Sequence, residues 1–269
     1  MFELAVVQSD TNPGAQMTLW AACRRTYAQS WRFMVALPLI ALAVIGFEGL
    51  QHVLEWTTGM YRGVAVAKEV EHDPIRMIGG LLKIAWLLIV EYWVARFIVS
   101  GGSKAVTIAL EPVAVRKFFN FFAFYFVLSA ALLLLPSIFL AMGLMGRTIA
   151  IGVALLGLAT VPLEVALAPW AVGSAIGDVR ASPAFALGRS GGSVLWGLAF
   201  TVIAILPLMI VHYGFGLGAI GRSPLVAILL LLIDSCVVGF LGIVFNVSQV
   251  VIAERMALRA GGQLACRPA

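Results

Sequence analysis

The sequence predicts an all-α, polytopic integral membrane protein: six transmembrane helices arranged as three hairpins, with short interfacial helices leading them in. Of its 269 residues, 62% are hydrophobic before the 27 glycines are counted, whereas a soluble domain reaches about 45–50% with glycine included. Charged residues make up 12% against about 25% in soluble proteins, and mean hydropathy is +1.02. The apolar residues also run continuously, without the period-two alternation of a barrel strand. These figures exclude a soluble globular enzyme, a disordered tail and a disulfide-stapled secreted module. A single membrane domain over 1–269 leaves few residues for a soluble catalytic unit, so the expectation is a protein that is not an enzyme.

A bilayer core of about 30 Å requires roughly 20 apolar residues per helix. Six segments satisfy this: 33–56, 77–99, 118–145, 148–172, 194–213 and 225–253. With no water to bond the backbone, continuous apolar runs must be helices. The third and fourth meet at Gly146-Arg147, which allows only a tight hairpin. Residues 1–32 lack the compact apolar stretch and cleavage site of a secretory signal, so the first span is expected to stay as an uncleaved anchor. Between the first two spans, the mixed charges of 57–76 suggest a short surface helix ended by Asp73-Pro74.

The odd-numbered spans each follow a basic, semi-apolar stretch: 15–32, 104–117 and 180–193. The first and last look alike. Ala22-x-x-Arg25-Thr26 precedes Leu37-Pro38-Leu39, and Ala186-x-x-Arg189-Ser190 precedes Leu206-Pro207-Leu208. Either each stretch is a basic anchor for an inward-starting helix, or the three mark a threefold repeat of hairpins led by interfacial helices.

Orientation follows from the loops. Arg24, Arg25, Arg32, Arg96, Lys104, Arg116, Lys117, Arg180, Arg189, Arg255, Arg259 and Arg267 fall on one side, and Arg62, Lys68, Arg76, Arg147 and Arg222 on the other. Twelve against five puts both termini in the cytoplasm of a bacterial inner membrane. Net charge is +5, but the bases flank apolar runs and form no cluster. Arg25, Arg116, Lys117 and Arg189 are therefore read as contacts for lipid headgroups, and no nucleic-acid partner is expected. The three cysteines, Cys23, Cys236 and Cys266, show no CxxC spacing, which excludes a disulfide framework and a thiolate metal site.

Pro169-Trp170, followed by Ser182-Pro183-Ala184-Phe185-Ala186-Leu187-Gly188-Arg189-Ser190 leading into the fifth span, resembles the YciC-type proteins. These are similar to the membrane domain that precedes some bacterial glycerophosphodiester phosphodiesterases. The resemblance implies six spans with cytoplasmic ends. It implies no activity, because the phosphodiesterase chemistry belongs to a separate domain.

Ionisable groups inside a bilayer cost several kcal/mol unless paired, so each is a functional hypothesis. At about 1.5 Å per residue, Glu48 and Lys83 lie about 22 and 24 Å from the cytoplasmic ends of their helices, with Asp234 a few Å further. These three form an outer layer: an ion pair of Glu48 with Lys83, or a polar cavity open to the outside. Glu91 and Glu164 each lie about 12 Å from their cytoplasmic ends and form an inner layer that Asn246 and Gln249 could join. Two carboxylates at one depth without a cation would share a proton. Alternatively, Arg96 or Arg189 snorkels to them. Pro162 and Pro169 suggest a broken helix here. His52 and His212 match in depth and could bracket a haem, or could each bond backbone or headgroup. Trp86, mid-span, reads as packed. Gly152 and Gly157, or Gly239 and Gly242, read as close-packing positions.

No HExxH, GxSxG or Walker loop occurs, so no cofactor and no metal are expected. Three functions remain: a non-enzymatic protein that binds lipids or a membrane partner, a proton- or cation-coupled transporter using intramembrane carboxylates, or an accessory subunit of a larger membrane complex. The accessory reading points to the aromatic run Phe118–Phe126.

Overall fold

A computed structural model describes residues 17–144 and 146–266, apart from the side chains of Thr148 and Ile149. Residues 1–16, Met145 and Arg267, on which some of the expectations above fall, lie outside the described residues. Among the described residues there is no strand, and six helices are long and apolar enough to cross a membrane. The chain is a multi-pass, all-α membrane protein.

Helix α1 (Leu19–Ala36) is amphipathic and N-capped by Thr18, whose hydroxyl accepts from the Ala21 N–H. It stops at Leu37 because a residue before proline is pushed out of the α region; Leu37 has φ −130° and ψ 61°. Pro38 then opens the first span, α2 (Pro38–Thr57). Residues 33–36, assigned to the span from sequence, thus complete the preceding helix. A 3₁₀ turn, Met60–Arg62, and α3 (Val64–Glu69) follow. Asp73-Pro74 begins the next element and does not end the surface helix: the Asp73 carboxylate accepts from the Ile75 N–H at 2.8 Å and caps α4 (Pro74–Val99). The second repeat is α5 (Lys104–Ile108), α6 (Pro112–Ala141) and α7 (Arg147–Ala175). The third is α8 (Pro183–Ser190), α9 (Val194–Ala219) and α10 (Pro224–Arg259).

A short helix precedes each odd-numbered span, and all three are hydroxyl-capped: Ser103 accepts from the Val106 N–H and Ser182 from the Phe185 N–H, as Thr18 does from Ala21. The matching positions Ala22 and Ala186 are both fully buried; Thr26 is too, and Ser190 is nearly so. The likeness ends at the prolines. Pro38 starts a helix, whereas Pro207 sits inside α9.

Each hairpin packs on itself, α2 on α4, α6 on α7 and α9 on α10, and α10 also meets α1, α2, α4 and α7. It is the central helix, and its residues Ile243, Val244, Val247, Val250, Val251 and Ile252 have no exposed surface. Close approach depends on Gly239, where a Cβ would collide with Ile45 of α2, and on Gly242, where it would meet Leu87 of α4. A Cβ at Gly152 or Gly157 would meet nothing within 4 Å, and the close approach to the fourth span comes instead at Gly197 of α9, where a Cβ would collide with Val165. Trp86 stacks on Phe47 at 5.3 Å. In the aromatic run, Phe118, Phe121 and Tyr125 are buried while Phe119 and Phe124 face outward.

Candidate functional site

Glu48, His52 and Glu55 recur at i, i+4 and i+7, which places them on one face of α2. All three are buried. Opposite them stands Asp234 of α10, with no exposed surface. His52 Nε2 lies 3.1 Å from Asp234 Oδ2 and 3.5 Å from Glu48 Oε1. Lys83 Nζ of α4 pairs with Glu48 Oε2 at 2.8 Å, and His212 Nδ1 of α9 lies 2.8 Å from Asp234 Oδ1. On the far side of the His52 ring, Nδ1 is 3.2 Å from Glu55 Oε2 and 3.0 Å from the Tyr61 hydroxyl. Arg76, at the start of α4, donates to Glu55 Oε1 at 3.2 Å.

One proton assignment follows. The Tyr61 hydroxyl donates to Glu55 Oε2 at 2.5 Å. Glu55, paired with Arg76, accepts. Both partners of His52 Nδ1 are then acceptors, and Nδ1 must carry the hydrogen. In the neutral ring Nε2 is left as a lone pair facing two carboxylate oxygens. The three carboxylates meet two permanent cations, Lys83 and Arg76.

The second site lies on α4 and α7. Glu91, 3% exposed, and Glu164 line one cavity of about 150 Å³ with Tyr125, Ser129, Asn246 and Gln249. At about 30 Å³ per water, this volume holds a handful of waters or a partly hydrated ion. Among the described residues no Lys, Arg or His lies within ion-pair distance of either carboxyl, and Glu91 Oε1 has no hydrogen-bond partner. The expected snorkelling arginine is absent. Arg96 donates instead to the Val106 and Ala175 carbonyls at 2.9 and 3.2 Å, and Arg189 lies over the Phe185 ring. The expected break at Pro162 and Pro169 is also absent, since α7 runs through both; each proline only removes one helical N–H donor.

A cleft of about 350 Å³ lined by Lys83, His212 and Tyr213 shares Leu87, Phe245 and Asn246 with the Glu91–Glu164 cavity. The Asn246 amide donates to the Leu87 carbonyl at 3.1 Å at that junction.

Glu48, Lys83 and Asp234 thus come together, the last through His52, and Glu91 and Glu164 come together separately. Both histidines contact Asp234, which fills the space a haem would need between them. The surface arginines and lysines divide. Arg25 pairs with Glu254 at 2.6 Å, Lys117 donates to the Val179 and Ala181 carbonyls, and Arg116 is exposed. Glu55, Tyr61 and Arg76 were not foreseen. The i, i+4, i+7 spacing on α2 carried a signal for Glu55, but nothing local marks Tyr61 or Arg76. No metal constellation was expected either. Yet Glu48, His52 and Asp234 each offer a ligand atom, all within 4.8 Å of one another, and 182 residues separate His52 from Asp234.

Fold and sites define a multi-pass helical membrane protein with two buried clusters of ionisable groups. Comparison with protein-family models, curated proteins and solved structures finds no match for the chain.

Proposed function

We propose that this protein is a proton-coupled cation transporter of the bacterial inner membrane, with both termini cytoplasmic and the Glu91–Glu164 cavity as the site where proton and cation exchange. The observation that carries the reading is the pair of carboxyls lining one cavity with, among the described residues, no basic side chain in ion-pair contact with either. Two such groups in an apolar setting repel, and they hold negative charge only with a proton or a cation between them. A fixed arginine would satisfy the pair permanently and leave nothing to exchange. Arg96 is held elsewhere by backbone carbonyls. The adjoining cleft supplies the rest of a path toward the opposite end, narrowed where Asn246 meets Leu87. The twelve-to-five distribution of basic residues supports the orientation.

The test is reconstitution into liposomes loaded with a pH-sensitive dye. Imposed gradients of K⁺, Na⁺ or a divalent ion should drive proton movement, and Glu91→Gln or Glu164→Gln should reduce it at least tenfold. Flux unchanged by both substitutions refutes transport.

A second reading has its own support. An apolar groove of about 350 Å³ lined by Tyr92, Trp93, Leu110, Phe118, Phe119 and Phe122 suits an acyl chain or the helix of a membrane partner. In this reading the protein is a non-enzymatic binder of lipids or an accessory subunit. Co-purifying lipid lost on Phe119→Ala, together with absent flux, would favour it.

A further inference from the structure

We propose that Glu48, His52 and Asp234 form a binding site for one divalent transition-metal ion, of the Zn²⁺ class. The site does not depend on transport, because it lies apart from the Glu91–Glu164 cavity.

Three features point to a metal. The first is spacing. Ligands about 2.1 Å from Zn²⁺ in a tetrahedron stand about 3.4 Å apart. The Nε2 of His52 is 3.1 Å from Asp234 Oδ2 and 3.5 Å from Glu48 Oε1. The longer distance is poor for a hydrogen bond and ordinary for two ligands of one ion. The second is the proton assignment on His52. With Nδ1–H committed to Glu55 and Tyr61, Nε2 is the nitrogen that faces two carboxylate oxygens, a position that either a second proton or a metal ion fills.

The third is the outer support. A metal-bound histidine characteristically donates its other N–H to a carboxylate, and ligating carboxylates are themselves held. All three ligands have such a partner here: His52 has Glu55, Glu48 has Lys83 on its other oxygen, and Asp234 has His212, whose Nδ1 lies 2.8 Å from Oδ1 and 3.0 Å from Oδ2. A metal taking Glu48 Oε1 and Asp234 Oδ2 leaves the Glu55 and Lys83 contacts in place and keeps the shorter His212 contact, to Asp234 Oδ1. Three carboxylates against Lys83 and Arg76 leave one negative charge, which a second proton on His52 or a metal ion in its place would meet. One imidazole with two carboxylates selects first-row transition ions over Mg²⁺ and Ca²⁺, which prefer all-oxygen sites. An approach exists from the cleft that His52 lines with Gly49, Trp56 and Ser235.

The experiment uses the full chain in detergent, purified without a histidine tag and stripped with EDTA. Titration with Zn²⁺ should give one ion per chain, and Co²⁺ should give visible d–d bands that Zn²⁺ abolishes. X-ray absorption of the Zn²⁺ form should show nitrogen and oxygen neighbours and no sulfur. His52→Gln and Asp234→Asn should weaken binding by at least a hundredfold. His212→Gln should cost about ten- to a hundredfold, and His72→Gln, in the loop outside the cluster, should bind as the parent does. Absence of saturable one-to-one binding to the parent protein overturns the proposal. So does sulfur ligation, or parent-like binding by folded His52→Gln and Asp234→Asn. If both of those variants fail to fold, the stoichiometry and absorption spectrum of the parent decide.

Discussion

Replacing Glu48 by Gln removes the partner of Lys83 in a setting where that lysine has little recourse to water. The pair is 2.8 Å apart; Glu48 is 1% exposed at its side chain and Lys83 19%. Breaking a buried ion pair by deleting one partner costs about 3–5 kcal/mol, because the other charge stays buried and uncompensated. The partial exposure of Lys83 lets its ammonium retreat toward water, which places the expected loss near the low end, about 3 kcal/mol. For a chain of this length, 1 kcal/mol corresponds to roughly 2–4 °C in the unfolding midpoint, so Glu48→Gln should lower it by roughly 6–12 °C. Lys83→Met should cost at least as much, because Glu48 is the more deeply buried partner and the His52 Nε2 lone pair at 3.5 Å does not compensate its charge. The double variant leaves an amide and a thioether, with no charge stranded, and should recover more than half of the loss. Tryptophan fluorescence during heating of EDTA-stripped protein in detergent measures all four corners of the cycle. If the two single losses add to give the double within about 0.5 kcal/mol, the limit expected for independent sites, the pairing argument fails.

Topology is tested by cysteine labelling in intact cells. An impermeant maleimide should reach Ala65→Cys from outside and Val179→Cys only after permeabilisation, and labelling of Val179→Cys in intact cells would reverse the assigned orientation. Native Cys266 is a poor reporter, because burial pushes its thiol up and slows the reaction. Glycine packing gives a second contrast. Gly239→Ala forces a methyl against Ile45 and should cost about 1–3 kcal/mol in the same thermal assay. Gly152→Ala meets nothing and should be neutral, or stabilising by up to about 1 kcal/mol through helix propensity; equal effects of the two would contradict the packing described.

The sequence by itself determined the six spans and their helical state, because both follow from local composition and from the bilayer's demand that every backbone group be satisfied within its own segment; it offered the lead-in helices as one of two readings, and their hydroxyl caps came from the structure. It also determined depth. A fixed rise per residue puts Glu91 level with Glu164, and Glu48 near Lys83 and Asp234. Azimuth was not legible, since a polytopic helix presents apolar residues to lipid and to neighbours alike, so no hydrophobic stripe reveals which face turns inward. Only the tertiary structure could therefore decide that Arg96 serves the Val106 and Ala175 carbonyls and leaves the glutamates unpaired. The same holds for Gly239, which makes a helix contact that Gly152 does not. For His52 the reason is distance along the chain: its partners are gathered from α2, α10 and the loop carrying Tyr61, and no local pattern records an encounter between segments so far apart.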